Sequence, residues 1–118
     1  MKMNYFVLGT NNMQSAVKFY DLIFKDGGMT KLSDEGRMTL WGGADFMFAL
    51  AEPFDGNKAT VGNGTMVGFN VGSSAEVERL YNKAINIGGT DEGKPEVRSG
   101  RFSAYVRDLD KNKICFFE

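Results

Sequence analysis

The residue types that most often do chemistry in proteins are scarce in this chain. It has no histidine, and its one cysteine is Cys115. A cysteine acts as a nucleophile when a neighbouring base or cation favours its thiolate, and histidine is the usual base. The sequence also contains no Ser-His-Asp set, no zinc-ligand spacing and no phosphate-binding glycine motif. Cys115 is therefore interpreted as an inert packing residue.

Aromatic and thioether side chains are abundant instead. The 118 residues include ten Phe, four Tyr, one Trp and seven Met. Two interpretations fit this excess: a Phe-rich core, or a core with an additional apolar pocket. We interpret three arginines as solvated side chains: Arg37, Arg98 and Arg101. The alternative is that one of them binds an anionic ligand.

Charge and length argue against several classes of protein. The net charge is −1 and the basic residues are scattered, which provides no field for nucleic acid or an anionic membrane. A single cysteine fits a reducing compartment, and MKMNYFVLGTNN has too short an apolar run for a signal peptide. We expect one cytoplasmic domain with no nucleic-acid or membrane partner.

An internal repeat indicates the elements that must position these residues. Shifted by 61, residues 4–28 lie over 65–89 without a gap, and both segments end in a pair of glycines. At a shift of 66, FMFALAE (46–52) lies over NKICFFE (112–118). Agreement of two blocks in the same order indicates a duplication of a unit of about sixty residues.

Each copy has the pattern of a β-α-β-β-β unit. YFVLG and MVGFNV, rich in β-branched and aromatic residues, predict the first strands. Capping-box spacing at Asn11–Gln14 and Ser73–Glu76 predicts the two helix starts, and the glycine pairs predict the helix ends. Three short strands follow each helix. Unit one, a connection and unit two are predicted at about 1–52, 53–64 and 65–118.

This arrangement resembles the glyoxalase, bleomycin-resistance and extradiol-dioxygenase superfamily, also called vicinal oxygen chelate. NYFVLGTNNMQSAVKFYDLIF is similar to the family's opening strand and its helix with a Phe-Tyr pair, and GRFSAYVRDLDKNKICFFE is similar to its closing segment. The family turn Asp-Pro-Asp-Gly-Asn reads Asp108-Leu109-Asp110-Lys111-Asn112 here, without the Pro and Gly. The resemblance implies an α+β fold, in which the tandem units form a curved mixed sheet around a central cleft. It also implies a homodimer.

The same resemblance implies four metal-ligand positions, which hold His, Glu or Gln in the metal enzymes of the family. Here these positions correspond to Tyr5, Ala49, Met66 and Cys115. A divalent metal held only by a phenol and a thiolate would be undercoordinated. The nearby carboxylates fall on the opposite strand face or at a strand entrance: Glu52, Glu118 and Asp45. We therefore expect no metal and no other cofactor.

Strand alternation predicts which side chains line the cleft. Trp41 and Tyr105 lie on middle strands whose faces the alternation does not fix, and the resemblance places aromatic residues of these strands against a ligand. Core packing is the alternative for the methionines, and a buried position or a dimer contact is the alternative for Trp41. The predicted ligand-binding residues are Tyr5, Trp41, Met47, Met66, Asn70, Arg101, Tyr105 and Cys115.

Two functions are compatible with these features. The first is metal-independent binding of an aromatic or planar small molecule, as in the bleomycin-resistance branch. The alternative is a glyoxalase-like lyase or isomerase that acts on a small metabolite, with Tyr5 as acid or base or with displaced metal ligands. A phenol acts as a base near neutrality only when its pKa is strongly lowered, and no cation is assured beside Tyr5. This consideration favours binding, while the identity of the ligand stays open.

Overall fold

A computed structural model describes all residues, 1–118, and has the predicted α+β fold of two β-α-β-β-β units. The elements of the first unit are β1 (Tyr5–Gly9), α1 (Met13–Phe24), β2 (Thr30–Ser33), β3 (Met38–Gly42) and β4 (Met47–Ala51). Those of the second are β5 (Val67–Asn70), α2 (Ser74–Asn86), β6 (Thr90–Arg98), β7 (Arg101–Arg107) and β8 (Lys113–Phe117). Neither helix is long and apolar enough to cross a membrane. The chain divides into compact units at Met1–Val61 and Gly62–Glu118, a boundary inside the predicted connection.

The two sheets have the same topology. Their strand orders are β1-β4-β3-β2 and β5-β8-β7-β6, with a parallel first pair and antiparallel pairs after it. Phe6 pairs with Phe48 in the first sheet, and the residues aligned with them by the repeat, Val67 and Ile114, pair in the second. The internal duplication is therefore reproduced down to the register of the strands.

The start of α1 differs from the prediction by one residue. Asn12, not Asn11, is the N-cap, and its Oδ1 accepts a hydrogen bond from the Ser15 N–H at 3.1 Å. Asn11 instead exchanges hydrogen bonds with the backbone of Ala59, accepting at 2.8 Å and donating at 3.0 Å. In α2 the predicted cap is confirmed, because Ser73 accepts from the Glu76 N–H at 3.2 Å.

The glycine pair ends α2 but not α1. Gly88 has a φ of 109°, and Gly89 N–H donates to the Ala84 carbonyl at 2.8 Å, as in a Schellman motif. The first helix already ends at Phe24, because the backbone of Lys25 is non-helical. The prediction that Gly27–Gly28 ends α1 is therefore wrong by a few residues.

Each helix packs on one face of its own sheet. In the first unit four aromatic rings form the core, with Tyr20 and Phe48 centroids 4.8 Å apart and those of Phe24 and Trp41 5.6 Å apart. In the second unit, buried residues of α2 and of the helix-facing strand positions form the core: Val77, Leu80, Ala84, Val106, Ile114 and Phe116. The opposite face of each sheet is called the open face. It carries the strand residues that alternate with the helix-facing ones.

Candidate functional site

A pocket of about 370 Å³ lies on the open face of the second sheet. Val106 and Ile114 pair on the helix-facing side and are fully buried, so the next pair, Tyr105 and Cys115, lies on the open face. This register settles the face of Tyr105, which alternation alone had left undetermined. Met66, Arg101, Tyr105 and Cys115, four of the predicted ligand-binding residues, line this pocket together.

Five further residues line the pocket and were not among the predicted site residues: Gly68, Arg98, Ser99, Ser103 and Phe117. A tight hairpin turn brings three residues of the wall together. Ser99 and Gly100 have φ values of 51° and 77°, the left-handed backbone typical of a type I′ turn between β6 and β7. The turn makes Arg98 and Arg101 direct partners beside the pocket. The Ser-Gly pair between two strand-like runs was the available sequence signal.

The Arg98 guanidinium is held rigidly. Its Nη1 donates to the Ser103 carbonyl and its Nη2 to the Lys94 carbonyl, both at 2.7 Å. Nη2 also lies 3.2 Å from a Glu96 carboxylate oxygen, and the guanidinium carbon is 5.2 Å from the centre of the Tyr105 ring. Arg98 therefore forms a fixed part of the pocket wall, with its charge balanced by Glu96.

Arg101 has different surroundings. Its guanidinium carbon lies 5.3 Å from the centre of the Phe117 ring, a cation–π contact, and the side chain has no hydrogen bond and no ion pair. On the same open face, Lys113 Nζ lies 5.3 Å from the centre of the Tyr105 ring and is likewise not ion-paired. No carboxylate lines the pocket. The side chains that line the pocket therefore carry a net positive charge.

Two glycines allow the aromatic rings to lie close to the strand backbone. A Cβ at Gly68 would come within 3.2 Å of a Phe117 ring carbon, and a Cβ at Gly93 within 2.8 Å of a Tyr105 ring carbon. A larger residue at either position would push the ring away from the sheet. These glycines therefore set the position of the rings that line the pocket.

The Cys115 side chain is nearly enclosed in the pocket wall, since the residue is 5% exposed. Burial raises the pKa of the Cys115 thiol, and hydrogen bonding with Tyr105 and the charges of Arg98 and Lys113 only partly oppose that shift. The thiol is therefore protonated at neutral pH. This supports the interpretation of Cys115 as a packing residue rather than a nucleophile.

The residues at the four metal-ligand positions do not fit a divalent metal. Ala49 is fully buried and offers no donor, Met66 offers only a thioether, and the Cys115 thiol is protonated. Tyr5 is 43% exposed on the first sheet. Nowhere in the structure do three or more His, Cys, Asp or Glu side chains form a group that could hold a metal ion.

The other four predicted ligand-binding residues do not line this pocket. Tyr5 and Met47 are partners on the open face of the first sheet, and Asn70 Oδ1 accepts from the Gly72 N–H at 3.0 Å. Trp41 pairs with Phe48 on the helix-facing side, is 2% exposed, and donates through Nε1 to Asp21 Oδ1 at 3.0 Å. This position corresponds to the alternative of a buried hydrophobic residue, so Trp41 is left out of the candidate site.

Comparison with solved structures places the fold among known proteins. A glyoxalase/bleomycin resistance protein from Albidiferax ferrireducens is 29% identical, with a TM-score of 0.89 over 98% of this chain and 96% of that one. A glyoxalase-related enzyme from Fulvimarina pelagi is 18% identical, with a TM-score of 0.81 over 98% and 86%. A lactoylglutathione lyase from Agrobacterium tumefaciens is 19% identical, with a TM-score of 0.75 over 99% and 92%. No protein-family model and no curated protein matches the chain.

Proposed function

We propose that the chain is a member of the glyoxalase/bleomycin resistance/dioxygenase superfamily, which its 29% identity to the Albidiferax ferrireducens protein supports, and that it is a metal-independent protein that binds an aromatic or planar small molecule. The observation that supports this function is the pocket on the open face of the second sheet. Its volume of about 370 Å³ is in the range of small-molecule sites, and its surface is mostly apolar. Phe117 and Tyr105 offer aromatic surfaces, and Met66 offers an adaptable thioether.

Metal independence is part of the proposal because of the chemistry of the donor positions. Metal sites in proteins combine thiolate, imidazole or carboxylate groups, usually three or four of them. Here the four positions supply one phenol and one buried, protonated thiol, on different sheets. We therefore expect ligand binding to be unaffected by a chelator.

Two observations favour binding over the alternative, a glyoxalase-like lyase or isomerase. Tyr5, the predicted acid or base, is 43% exposed on the first sheet and does not line the pocket. Cys115 has a raised pKa, which disfavours the reactive thiolate. The lactoylglutathione lyase named above, at 19% identity, shares the fold with this chain.

The proposal is tested by a thermal-shift screen of planar aromatic compounds in the presence of EDTA, followed by calorimetry. A true ligand should raise the melting temperature with the chelator present. Phe117→Leu should weaken that ligand roughly tenfold, because a stacking surface and part of the buried area are lost. Phe54→Leu is the matched control, since Phe54 is 89% exposed in the connection and should not affect binding.

Three results would contradict this function. The first is stabilisation that occurs only after a divalent metal is added, which would show that the protein uses a metal. The second is a ligand whose affinity is equal for the native protein and for Phe117→Leu, which would place the binding site elsewhere. The third is conversion of a bound compound into a product, which would support the lyase or isomerase alternative.

A further inference from the structure

We infer that the pocket of the second unit selects planar ligands that carry a carboxylate, and that Arg101 is the residue that binds this group. The inference rests on the proposed function and specifies its ligand class. It follows from the balance of charge in the pocket, from the difference between two neighbouring arginines, and from the position of one of them over an aromatic ring.

The first step is the balance of charge. Two arginines and no carboxylate line the pocket. The only acidic group that pairs with either of them is Glu96, which neutralises Arg98. One positive charge in the wall is therefore unbalanced. A ligand with a negative group restores the balance, whereas a cationic ligand would be repelled.

The second step distinguishes the two arginines. The Nη atoms of Arg98 already donate to two backbone carbonyls and contact Glu96. Arg101 contacts only the face of Phe117 and has all its N–H donors available. A guanidinium presents its donors as a planar fork that matches the two oxygens of a carboxylate. Arg101 is consequently the anion-binding group, and Arg98 is a positioning residue that fixes the wall beside it.

The third step explains why the ligand is planar as well as anionic. The Arg101 guanidinium lies 5.3 Å from the Phe117 ring centre, so the cation and the aromatic surface are adjacent. A flat ring that packs on Phe117 and Met66 therefore holds a carboxylate substituent beside the guanidinium. An aromatic carboxylate satisfies both surfaces with one rigid molecule, which keeps the entropy cost of binding low.

The experiment compares three probes that share one ring system and differ in charge: naphthoate, naphthalenemethanol and naphthylmethylamine. Binding is measured by calorimetry. Occupancy of the pocket is measured by how far a probe protects Cys115, the only cysteine of the protein, from a thiol-alkylating reagent. Naphthoate should bind at least tenfold more tightly than the neutral alcohol, because hydrogen bonds to a charged group are strong. The amine should bind more weakly than the alcohol.

A pair of variants assigns the effect to Arg101. Arg101→Gln should lower the affinity for naphthoate about tenfold and leave that for naphthalenemethanol unchanged. Arg79→Gln removes the same charge from an exposed site on α2, where Arg79 pairs with Glu76 at 2.7 Å. This control should bind all three probes like the native protein.

The outcomes separate the ligand class from the underlying function. If the alcohol and the amine protect Cys115 as well as naphthoate does, the anionic class is wrong while aromatic binding stands. If Arg101→Gln weakens all three probes equally, Arg101 is not the carboxylate-binding group and the assignment is overturned. If none of the probes binds at millimolar concentration, both the ligand class and the proposed function at this pocket fail.

Discussion

Cys115 lies next to a hydroxyl and two cations and nevertheless keeps its proton, because burial dominates its surroundings. Tyr105, Arg98 and Lys113 each favour the thiolate, while desolvation disfavours it more strongly. Cys115 is therefore an unreactive part of the pocket wall. The carboxylate-binding role belongs to Arg101, whose guanidinium is solvated and without an ion pair.

The raised pKa of Cys115 predicts slow alkylation of the native protein near neutral pH. Only the thiolate reacts, and a raised pKa lowers the thiolate fraction at every pH below it. At pH 7–8 we expect the rate with iodoacetamide to be clearly below that of a free cysteine, whose pKa is about 8.5. The rate should still be rising above that pH. It is measured by mass spectrometry over a pH series.

The control for this measurement is the same protein unfolded in urea, where Cys115 should react like a free cysteine with the ordinary pH midpoint. A native rate that levels off below pH 8 would mean that the nearby cations dominate. It would reopen the interpretation of Cys115 as a nucleophile.

At the scale of single elements, the turn between β7 and β8 departs, at a strained position, from the turn of the family that the chain resembles. Lys111 has a φ of 72°, in the left-handed region, where the family turn has glycine. Asp108 stabilises the turn by accepting hydrogen bonds at 2.9 Å from the N–H groups of Asp110 and Asn112. The turn thus keeps its geometry through Asp108, at a conformational cost at Lys111.

Lys111→Gly is predicted to raise the free energy of unfolding by about 0.5–1 kcal/mol. Glycine removes the left-handed penalty, and part of that gain is offset by the greater flexibility of glycine in the unfolded chain. Urea denaturation of the two proteins measures the difference. Lys58→Gly is the matched control: Lys58 has no left-handed backbone, so glycine there should lower stability by up to about 1 kcal/mol. Equal effects of the two substitutions would disprove the strain argument.

The order and the ends of helices and strands were predictable from the sequence where a local pattern determines them. They were less predictable where a contact with a distant residue determines them. The repeat predicted the order of strands and helices, because both copies must form the same unit. The cap of α1 could not be chosen between two adjacent asparagines. The choice depends on Asn11 bonding to Ala59, 48 residues away.

The site was predictable in part for the same reason. Strand alternation placed Cys115 and Met66 correctly on the open face. The face of Trp41 depends on its pairing with Phe48, and the position of Arg98 depends on the left-handed turn at Ser99. Neither the pairing nor the turn geometry follows from composition or spacing alone.

At the scale of the whole molecule, the first unit has an apolar open face that suggests association. Tyr5, Val7 and Met47 on this face are 43%, 45% and 37% exposed. Contiguous exposed apolar surface of this kind often marks a protein–protein interface. A homodimer therefore stays our prediction. Light scattering should give a mass of about twice the 13.0 kDa of one chain.

Val7→Lys should shift that mass to the monomer, because the substitution places a charge in the apolar face. Leu22→Lys is the matched control, since Leu22 is 41% exposed on α1 and lies away from the open face. A single-chain mass for the native protein at micromolar concentration would rule out the dimer. Dissociation by both variants would point to general destabilisation instead.

The only tryptophan of the chain is buried in the first unit, and the only cysteine is buried in the second. Intrinsic emission therefore follows the melting of one unit, while the appearance of a reactive sulfur follows the melting of the other. A single temperature ramp with both readouts reveals whether the two copies of the duplicated unit melt together or in sequence, and no engineered label is needed. With a fluorescent acceptor attached to Cys115, energy transfer from Trp41 would also measure the distance between these two residues.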